Sequence, residues 1–212
     1  MSGKREQHKR KTRMAILEAA VRLFTAKGYE RTSIADLARA AGIGKGTVYS
    51  YFRKKSEIFL AFCEEQMEIT RTTILETDTP AMPLLERLVA IYREDFRFIF
   101  HNPEFGRILM RETFYPRDVD IEVSRKLDER YIALLIPLLK QAQARGELRR
   151  DLELTLVLGH LYGLYNMVVS AWFTRRLLTE EDVIMALHSL FEQALLGLAR
   201  CNRSSVSPET TL

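Results

Sequence analysis

The chain has 212 residues, of which 47% are hydrophobic and 28% charged, a composition typical of globular proteins. No apolar run approaches about 18 residues without a polar break, and no apolar signal core follows the basic N-terminus, so neither a membrane span nor secretion is indicated. Two cysteines far apart in sequence, Cys63 and Cys201, make neither a disulfide framework nor a zinc site. We therefore expect a cytoplasmic protein without a metal or cofactor.

The overall charge of +4 hides an uneven distribution. Residues 1–60 contain 14 Lys and Arg against five Asp and Glu, whereas the remainder contains 18 against 23. A basic first part on an acidic body is typical of a protein whose first part alone binds nucleic acid. The alternative is a basic face that is merely solvated.

In chain order, residues 1–11 are basic and lack an apolar anchor, which predicts a flexible arm. Such an arm either enters the minor groove of DNA or only keeps the chain soluble. Helical spacing of apolar residues predicts a first helix over 12–27, ended by Gly28. Two short helices are predicted within 32–52, and a long helix over about 54–76.

The rest of the chain is predicted to be helical, without strand patterns or repeats. Helices are expected over about 83–100, 103–114, 121–145, 153–173 and 179–200. Pro137 lies inside the third of these and is expected to kink it. The Ser- and Thr-rich tail, 202–212, is expected to be disordered.

The most specific pattern lies in residues 32–52. The apolar face of the first short helix comprises Ile34, Leu37, Ala38 and Ala41. Gly42 can adopt the left-handed conformation that ends a helix, and Val48 and Phe52 give the second short helix a buried edge. Two short helices joined by a glycine turn predict a helix-turn-helix motif, whose second helix reads the major groove of DNA.

This segment resembles the DNA-binding domain of the TetR family of bacterial transcriptional regulators. The matching positions cover roughly the first quarter of the chain and are Ile16, Leu17, Ala19, Ala20, Leu23, Phe24, Gly28, Tyr29, Thr32, Ile34, Leu37, Ala38, Ala41, Gly42, Gly46, Tyr49, Tyr51, Phe52, Lys55, Glu57 and Ile58. Two positions depart, because the family often has a capping Ser or Thr at Gly44 and a larger side chain at Ser50. An operator sequence therefore cannot be borrowed from a relative.

The resemblance implies an all-α fold, in which an N-terminal three-helix helix-turn-helix domain is joined to a C-terminal helical ligand-binding and dimerisation domain. The implied divisions are a basic arm over 1–11, a DNA-binding domain over 12–55, a ligand-binding and dimerisation domain over 56–201, and the tail 202–212. The long helix from Lys54 would connect the two domains.

The resemblance also implies which residues meet DNA. Lys45, Thr47 and Ser50 would point into the major groove, and Gly46 would let the backbone approach. The phosphate contacts would come from Thr32, Ser33, Tyr49, Tyr51 and Lys55. Phosphate contacts fix the register of the protein on DNA, whereas base contacts carry the sequence information.

The segment 153–173 is apolar on almost every side, which predicts burial against more than one neighbour. Gly159 and Gly163, four residues apart, would let another helix approach closely. The resemblance implies that the last two helices pair with those of a second copy to form a homodimer. Packing within one chain is the alternative explanation.

Aromatic and soft side chains crowd the C-terminal part, as they do in pockets for apolar ligands. The candidate ligand-binding residues are Phe96, Phe100, Arg107, Met110, Phe114, Tyr162, Tyr165, Asn166 and Trp172. Each aromatic residue could instead belong to the core. The expected effector is mostly apolar, such as a lipophilic drug, an aromatic compound or a fatty-acyl compound.

Together these observations predict a ligand-responsive repressor that binds a near-palindromic DNA operator as a dimer. No nucleophile–base motif, phosphate-binding glycine loop or metal-ligand cluster is present in the sequence, so an enzyme is not expected. The alternative is an architectural or cell-division factor that binds DNA and is controlled by a protein partner. An exposed apolar patch without an internal cavity would favour that alternative.

Overall fold

The computed structural model describes residues 2–77, 79, 82–114 and 121–199. Within these ranges the chain forms nine helices and no strand, so the all-α class is confirmed. The helices are α1 (Ser2–Lys27), α2 (Ile34–Ala40), α3 (Lys45–Tyr51), α4 (Lys55–Thr77), α5 (Leu84–His101), α6 (Pro103–Phe114), α7 (Ile121–Arg145), α8 (Leu154–Phe173) and α9 (Glu180–Leu198). Pro137 lies inside α7. The tail 202–212, predicted to be disordered, lies outside the described residues.

The first helix is longer than predicted. Residues 2–11, predicted as a flexible arm, form the first turns of α1, and that prediction is corrected. Apart from Gly3, this stretch consists largely of Lys, Arg, Glu and Gln, which lose little side-chain freedom in a helix. Residues 3–11 are all exposed, so their basic charges lie on a solvated helix.

Contacts divide the chain into two compact units, Met1–Thr77 with Ala90–Leu134, and Asp78–Val89 with Leu135–Leu212. The core of the first unit crosses the predicted domain boundary at residue 55. Phe105 of α6 is fully buried there, with ring centres 6.0 Å from Phe24, 5.8 Å from Phe59 and 4.6 Å from Phe62. Helices α1, α4 and α6 therefore share one aromatic core, and Leu37 of α2 and Val48 of α3 belong to the same buried cluster.

A glycine brings α6 close to α5 in this unit. A Cβ atom added at Gly106 would lie 2.8 Å from Cγ2 of Ile99 and 3.3 Å from its Cα. Real Cβ contacts are not this short, so any larger residue would push the two helices apart. Gly106 follows Phe105 directly, and its missing side chain therefore helps Phe105 reach the core.

The second unit contains α8 and α9, which pack against each other. The buried residues of the two helices include Leu161, Val168, Val169, Val183, Leu187 and Phe191. Both helices are capped. Glu153 accepts hydrogen bonds from the Thr155 and Leu156 amides, and Thr179 forms a reciprocal capping box with Asp182.

One face of α8 is not covered by the described residues. Leu156 is 73% exposed and Met167 is 54% exposed. Apart from α8 itself, no described atom lies within 4 Å of a Cβ built at Gly159 or Gly163, so the described residues do not make the close approach predicted at these glycines. Among the described residues, the prediction that α8 is buried on more than one side is therefore not met.

By length and composition alone, α8 could cross a membrane, with a mean hydropathy of 1.3. Core helices of soluble proteins reach the same values, so a single helix of this kind is weak support for a membrane span. The sequence-based prediction that the chain does not enter a membrane stays a prediction.

Candidate nucleic-acid interface

The turn after α1 is fixed by Thr32. Its hydroxyl donates to the carbonyl oxygens of Gly28 at 2.8 Å and Leu23 at 3.3 Å, and its amide donates to that of Tyr29 at 3.2 Å. The residue is only 2% exposed. The predicted phosphate contact from the Thr32 side chain is therefore corrected, because its only hydroxyl hydrogen is used inside the domain.

Ser33 caps α2 and remains exposed. Its hydroxyl oxygen accepts from the Asp36 amide at 3.1 Å, while the Ser33 amide and hydroxyl donate to the Asp36 carboxylate at 3.0 and 2.8 Å. These bonds, together with Lys27 at 3.1 Å, hold the pKa of Asp36 well below its usual range. The cap fixes the N-terminal end of α2. The amide groups at this end of a helix favour a bound anion.

The turn between α2 and α3 has the predicted geometry. Gly42 has a φ of 68°, in the left-handed region that favours glycine, so its predicted role is confirmed. The Ile43 amide donates to Ala38 at 3.0 Å, and the Arg22 guanidinium donates to the Ala40 carbonyl at 3.1 Å. Local bonds and one side chain from α1 thus fix the angle between α2 and α3.

The recognition helix α3 has one fully buried anchor, Val48. The exposed residues of α3 are Lys45, Gly46, Thr47, Tyr49 and Ser50. All five are predicted DNA-binding residues, and the structure brings them together on one short helix. A Cβ built at Gly46 would meet no described atom within 4 Å, so the space beside this glycine is open to a ligand backbone.

Two contacts shape the polar surface of α3. The Lys45 ammonium lies 5.8 Å from the centre of the Tyr49 ring, a weak cation–π contact that leaves the lysine exposed. The Ser50 hydroxyl donates to the Thr47 carbonyl at 2.7 Å, so its oxygen is left as an acceptor. Tyr51 is half-buried against the core of the domain.

Lys55, at the start of α4, is tied to the turn after α1. Its ammonium donates to the Tyr29 carbonyl at 2.6 Å and lies 4.1 Å from the centre of the Tyr29 ring. A second contact reaches the Glu30 carbonyl at 3.4 Å. The predicted phosphate contact is compatible with the remaining donor, but Lys55 also joins α4 to the helix-turn-helix.

Sequence reasoning did not single out five further basic residues of this domain that are exposed: Arg22, Arg31, Arg39, Arg53 and Lys54. Arg53 and Lys54 lie between α3 and α4, and Arg31 donates to the Lys27 carbonyl at 2.6 Å. The charge excess over residues 1–60 was the signal that could have pointed to them.

The predicted effector residues do not form one cluster within either unit. Phe96, Phe100, Arg107 and Met110 belong to the first unit, and Tyr162, Tyr165, Asn166 and Trp172 belong to the second. Phe96 is fully buried, whereas Arg107 is exposed and lies 3.9 Å from Glu104. Phe114 ends α6, and its side chain lies outside the described part.

In the second unit, three predicted residues of α8 contact one another. The Tyr162 and Tyr165 rings stack at 6.1 Å, and the Asn166 amide donates to the Tyr162 carbonyl at 2.6 Å. The Asn166 carbonyl oxygen is buried and has no hydrogen-bond partner among the described residues. This acceptor is available to a group that the single chain does not supply.

Comparison with known proteins agrees with the helix-turn-helix assignment. Residues 16–62 match the family model of bacterial regulatory proteins, tetR family. The chain is 23% identical to the fatty acid metabolism regulator protein of Bacillus subtilis strain 168, over 91% of this chain and 98% of the relative. It is 36% identical to the HTH-type transcriptional regulator AcrR of Shigella flexneri, over 37% of this chain and 34% of AcrR.

Solved structures extend the likeness to the whole fold. The fatty acid degradation regulator FadR from Bacillus halodurans matches with a TM-score of 0.71 and 24% identity, over 87% of this chain and 98% of that one. FadR from Bacillus subtilis, solved in complex with stearoyl-CoA, matches over the same shares with a TM-score of 0.72 and 22% identity. At these identities the likeness establishes the fold.

Proposed function

We propose that the chain is a TetR-type transcriptional repressor that binds a near-palindromic operator as a dimer and leaves it when a mostly apolar molecule binds. The match of residues 16–62 to the family model of bacterial regulatory proteins, tetR family, supports this proposal. The observation that carries the proposal is α3, a short helix with one buried anchor, Val48, and an otherwise polar, exposed surface. This helix lies in the basic part of the chain, as sequence-specific DNA binding requires.

In this proposal the base contacts come from α3. Lys45 donates to guanine O6 and N7, and the Thr47 methyl group contacts a thymine methyl. Since the Ser50 hydroxyl hydrogen is donated within the helix, its oxygen accepts a hydrogen bond from a base amino group. Tyr49, Tyr51, Ser33 and the free hydrogen of Lys55 bind phosphates and set the register.

The exposed face of α8 supports a homodimer through the last two helices. Leu156 and Met167 on α8, with Met185 and Leu196 on α9, are each more than half exposed. Open space beside Gly159 and Gly163 would admit a helix of a second copy. A two-fold dimer presents two recognition helices to half-sites roughly 34 to 36 Å apart, and hence to a near-palindrome.

For the effector we propose a long-chain fatty-acyl thioester. Relatives that span nearly this whole chain include a fatty acid metabolism regulator and FadR structures in complex with stearoyl-CoA and, from Thermus thermophilus, lauroyl-CoA. The predicted effector residues are largely aromatic and apolar, as an acyl chain needs. A lipophilic drug is the competing effector, since the regulator AcrR is also similar over the first third of the chain.

The packing of the first unit supports a route from effector to DNA. Phe105 and Ile108 of α6 belong to the same buried cluster as Val48 of α3 and Ile58 of α4. A ligand that shifts α6 would therefore move the core on which α3 rests. The effector lowers operator affinity only by its differential affinity for the two arrangements.

An anisotropy titration tests this function. A labelled operator, recovered by selection from random duplex DNA, is bound by the protein and then challenged with stearoyl-CoA, free CoA or a neutral lipophilic drug. We expect stearoyl-CoA alone to release the DNA. Release by the drug and not by stearoyl-CoA would identify a lipophilic drug, and not an acyl thioester, as the effector. No release by either would contradict ligand-controlled repression.

A further inference from the structure

A partly buried carboxylate, that of Asp95 on α5, joins three helices of the first unit. Its two oxygens accept hydrogen bonds from the Thr70 hydroxyl of α4 at 2.8 Å and from the Tyr131 hydroxyl of α7 at 2.9 Å. Hydrogen bonds to a charged group are shorter and stronger than those between neutral groups. We call these three side chains the polar latch. It lies outside both the predicted DNA-binding residues and the predicted effector residues.

The later half of α4 carries three buried threonines, and among the described residues only Thr70 donates to a group outside the helix. Thr73 and Thr77 donate to carbonyl oxygens of α4 at 2.8 to 3.2 Å. Thr70 is 1% exposed and lies 3.2 Å from the Gln66 carbonyl, but the Asp95 oxygen is nearer. Since a threonine hydroxyl has one hydrogen, Thr70 directs it to Asp95 rather than to its own helix.

The face of α7 that carries Tyr131 makes two further contacts in this unit. Leu127 and Arg130 lie four and one residues before Tyr131, so all three share one side of the helix. Leu127 packs against the buried cluster that contains Val48 of α3, and Arg130 lies 2.7 Å from Glu64 of α4. Both partners of this ion pair are exposed, and such pairs contribute little, whereas hydrogen bonds to a partly buried carboxylate contribute more. The polar latch is therefore the stronger polar connection between α7 and α4.

The polar latch holds α4 at a point far from the helix-turn-helix. Ile58, near the start of α4, belongs to the same buried cluster as Val48 of the recognition helix. Thr70 follows Ile58 by 12 residues, which is about 18 Å along the helix. A helix that is fixed at two points this far apart has a defined direction, whereas a helix fixed near one end can pivot. The direction of α4 thus sets where α3 lies relative to α5 and α7 within the first unit.

We propose that Asp95 is a positioning residue for operator binding, because the polar latch fixes the direction of α4. The inference rests on the proposed function, in which a dimer places two recognition helices on half-sites at one fixed spacing. Without the latch, α4 takes several directions, and only a fraction of the dimers has the spacing that the operator needs. The apparent affinity falls by that fraction. A single half-site needs no fixed spacing, so its affinity does not depend on the latch.

Two isosteric threonine variants of the full chain test this role on DNA. Thr70→Val removes the hydrogen bond to Asp95, whereas the control Thr73→Val, also buried in α4, removes a bond within the helix only. Anisotropy titrations compare the selected palindromic operator with a duplex that holds one half-site. We expect Thr70→Val to lower the affinity for the palindrome at least about tenfold, as the loss of a hydrogen bond to a charged group implies, and to leave the half-site affinity unchanged. Thr73→Val should change neither affinity.

Three results of these titrations would overturn the proposal. They are equal losses of Thr70→Val on the palindrome and on the half-site, equal effects of the two variants, and a higher affinity of Thr70→Val for the palindrome. The last result would mean that the latch holds an arrangement that does not fit the operator.

A distance measurement without DNA separates a failure of the latch from a failure of the proposed function. Spin labels are placed at Arg39→Cys on α2 and Glu129→Cys on α7, both exposed, in a variant without the two native cysteines and diluted with unlabelled protein. We expect a narrow distribution of the distance between the labels, which broadens in Thr70→Val and stays narrow in Thr73→Val. An unchanged width in Thr70→Val would refute the latch. A wild type that binds the palindrome no more tightly than the half-site would instead refute the dimer of the proposed function.

Discussion

The DNA-binding surface and the predicted effector region differ in the sequence distance over which their geometry is set. Around α3, the positions of the polar side chains follow from bonds between near neighbours, such as Ser33 with Asp36 and Ser50 with Thr47. The predicted effector residues are spread over α5, α6 and α8 and over both units. A motif held by local bonds can be located from sequence, whereas a pocket that depends on packing between distant helices cannot.

The aromatic core around Phe105 depends on contacts between helices that are distant in sequence. Removing a ring from this core should have the largest effect on stability. Replacement of Phe105 by Ala should lower the free energy of unfolding by about 3–5 kcal/mol, because a fully buried ring is removed from a cluster of rings. Urea denaturation measures the loss. The matched replacement Phe100→Ala, at a half-buried position on α5, should cost clearly less. Equal losses would mean that Phe105 has no special place in the core.

A partly buried carboxyl group, that of Asp95, should make the stability of the first unit depend on pH. Asp95 accepts hydrogen bonds from Thr70 at 2.8 Å and Tyr131 at 2.9 Å, yet burial raises its pKa from 3.8 to about 6. Since the folded state then holds the proton more tightly than the unfolded state, this group stabilises the fold as pH falls from about 7 to about 4.

The variant Asp95→Asn isolates this dependence. The difference in unfolding free energy between the wild type and the variant should change by up to about 1.4 kcal/mol per pH unit near pH 5, in favour of the wild type at the lower pH. Denaturation series at pH 7.5, 6.0 and 4.5 measure it. A wild-type-to-variant difference in unfolding free energy that stays constant across this range would show that Asp95 has the same pKa in the folded and unfolded states.

Two lysines sharpen the comparison within the DNA-binding domain. Lys45→Ala should cost about 1–3 kcal/mol on the selected operator and relax the preference at one base position. Lys55→Ala should weaken binding to all sequences alike, reduce the salt dependence, and also lower stability, because its ammonium joins α4 to the Tyr29 carbonyl. Anisotropy titrations on specific and random duplexes measure both. A uniform loss for Lys45→Ala and a relaxed sequence preference for Lys55→Ala would instead assign the base contact to Lys55 and the phosphate contact to Lys45.

The smallest effects are expected at the helix caps. Ser33→Ala should cost about 1 kcal/mol of stability, because it removes the side-chain acceptor for the Asp36 amide. Gly44→Ser should add a few tenths of a kcal/mol of stability, since Gly44 caps α3 without a side-chain hydrogen bond. A Cβ atom at this position would meet only the Thr47 side chain, at 3.7 Å. Thermal melts measure both changes. A stabilising Ser33→Ala would contradict the capping geometry.

The sequence predicted the helices well because their signals are local. Gly28 and Gly42 end helices with positive φ values, as predicted. The prediction of a flexible arm over 1–11 was wrong, because basic residues with good helix propensity extend α1 to Ser2. The phosphate contact predicted for the Thr32 side chain was wrong, since the burial of this residue depends on α1. The place of Phe105 in the core could not be predicted, because its partners lie on α1 and α4.

Selection of binding sites from random duplex DNA at near-physiological salt tests whether α3 reads a DNA sequence. We expect a near-palindrome with half-site centres about one helical turn apart, and its loss when Lys45 and Thr47 are both replaced by Ala. Recovery of bound DNA without any common motif would contradict sequence-specific binding by a dimer. The basic domain would then bind phosphates alone, as in an architectural or cell-division factor controlled by a protein partner.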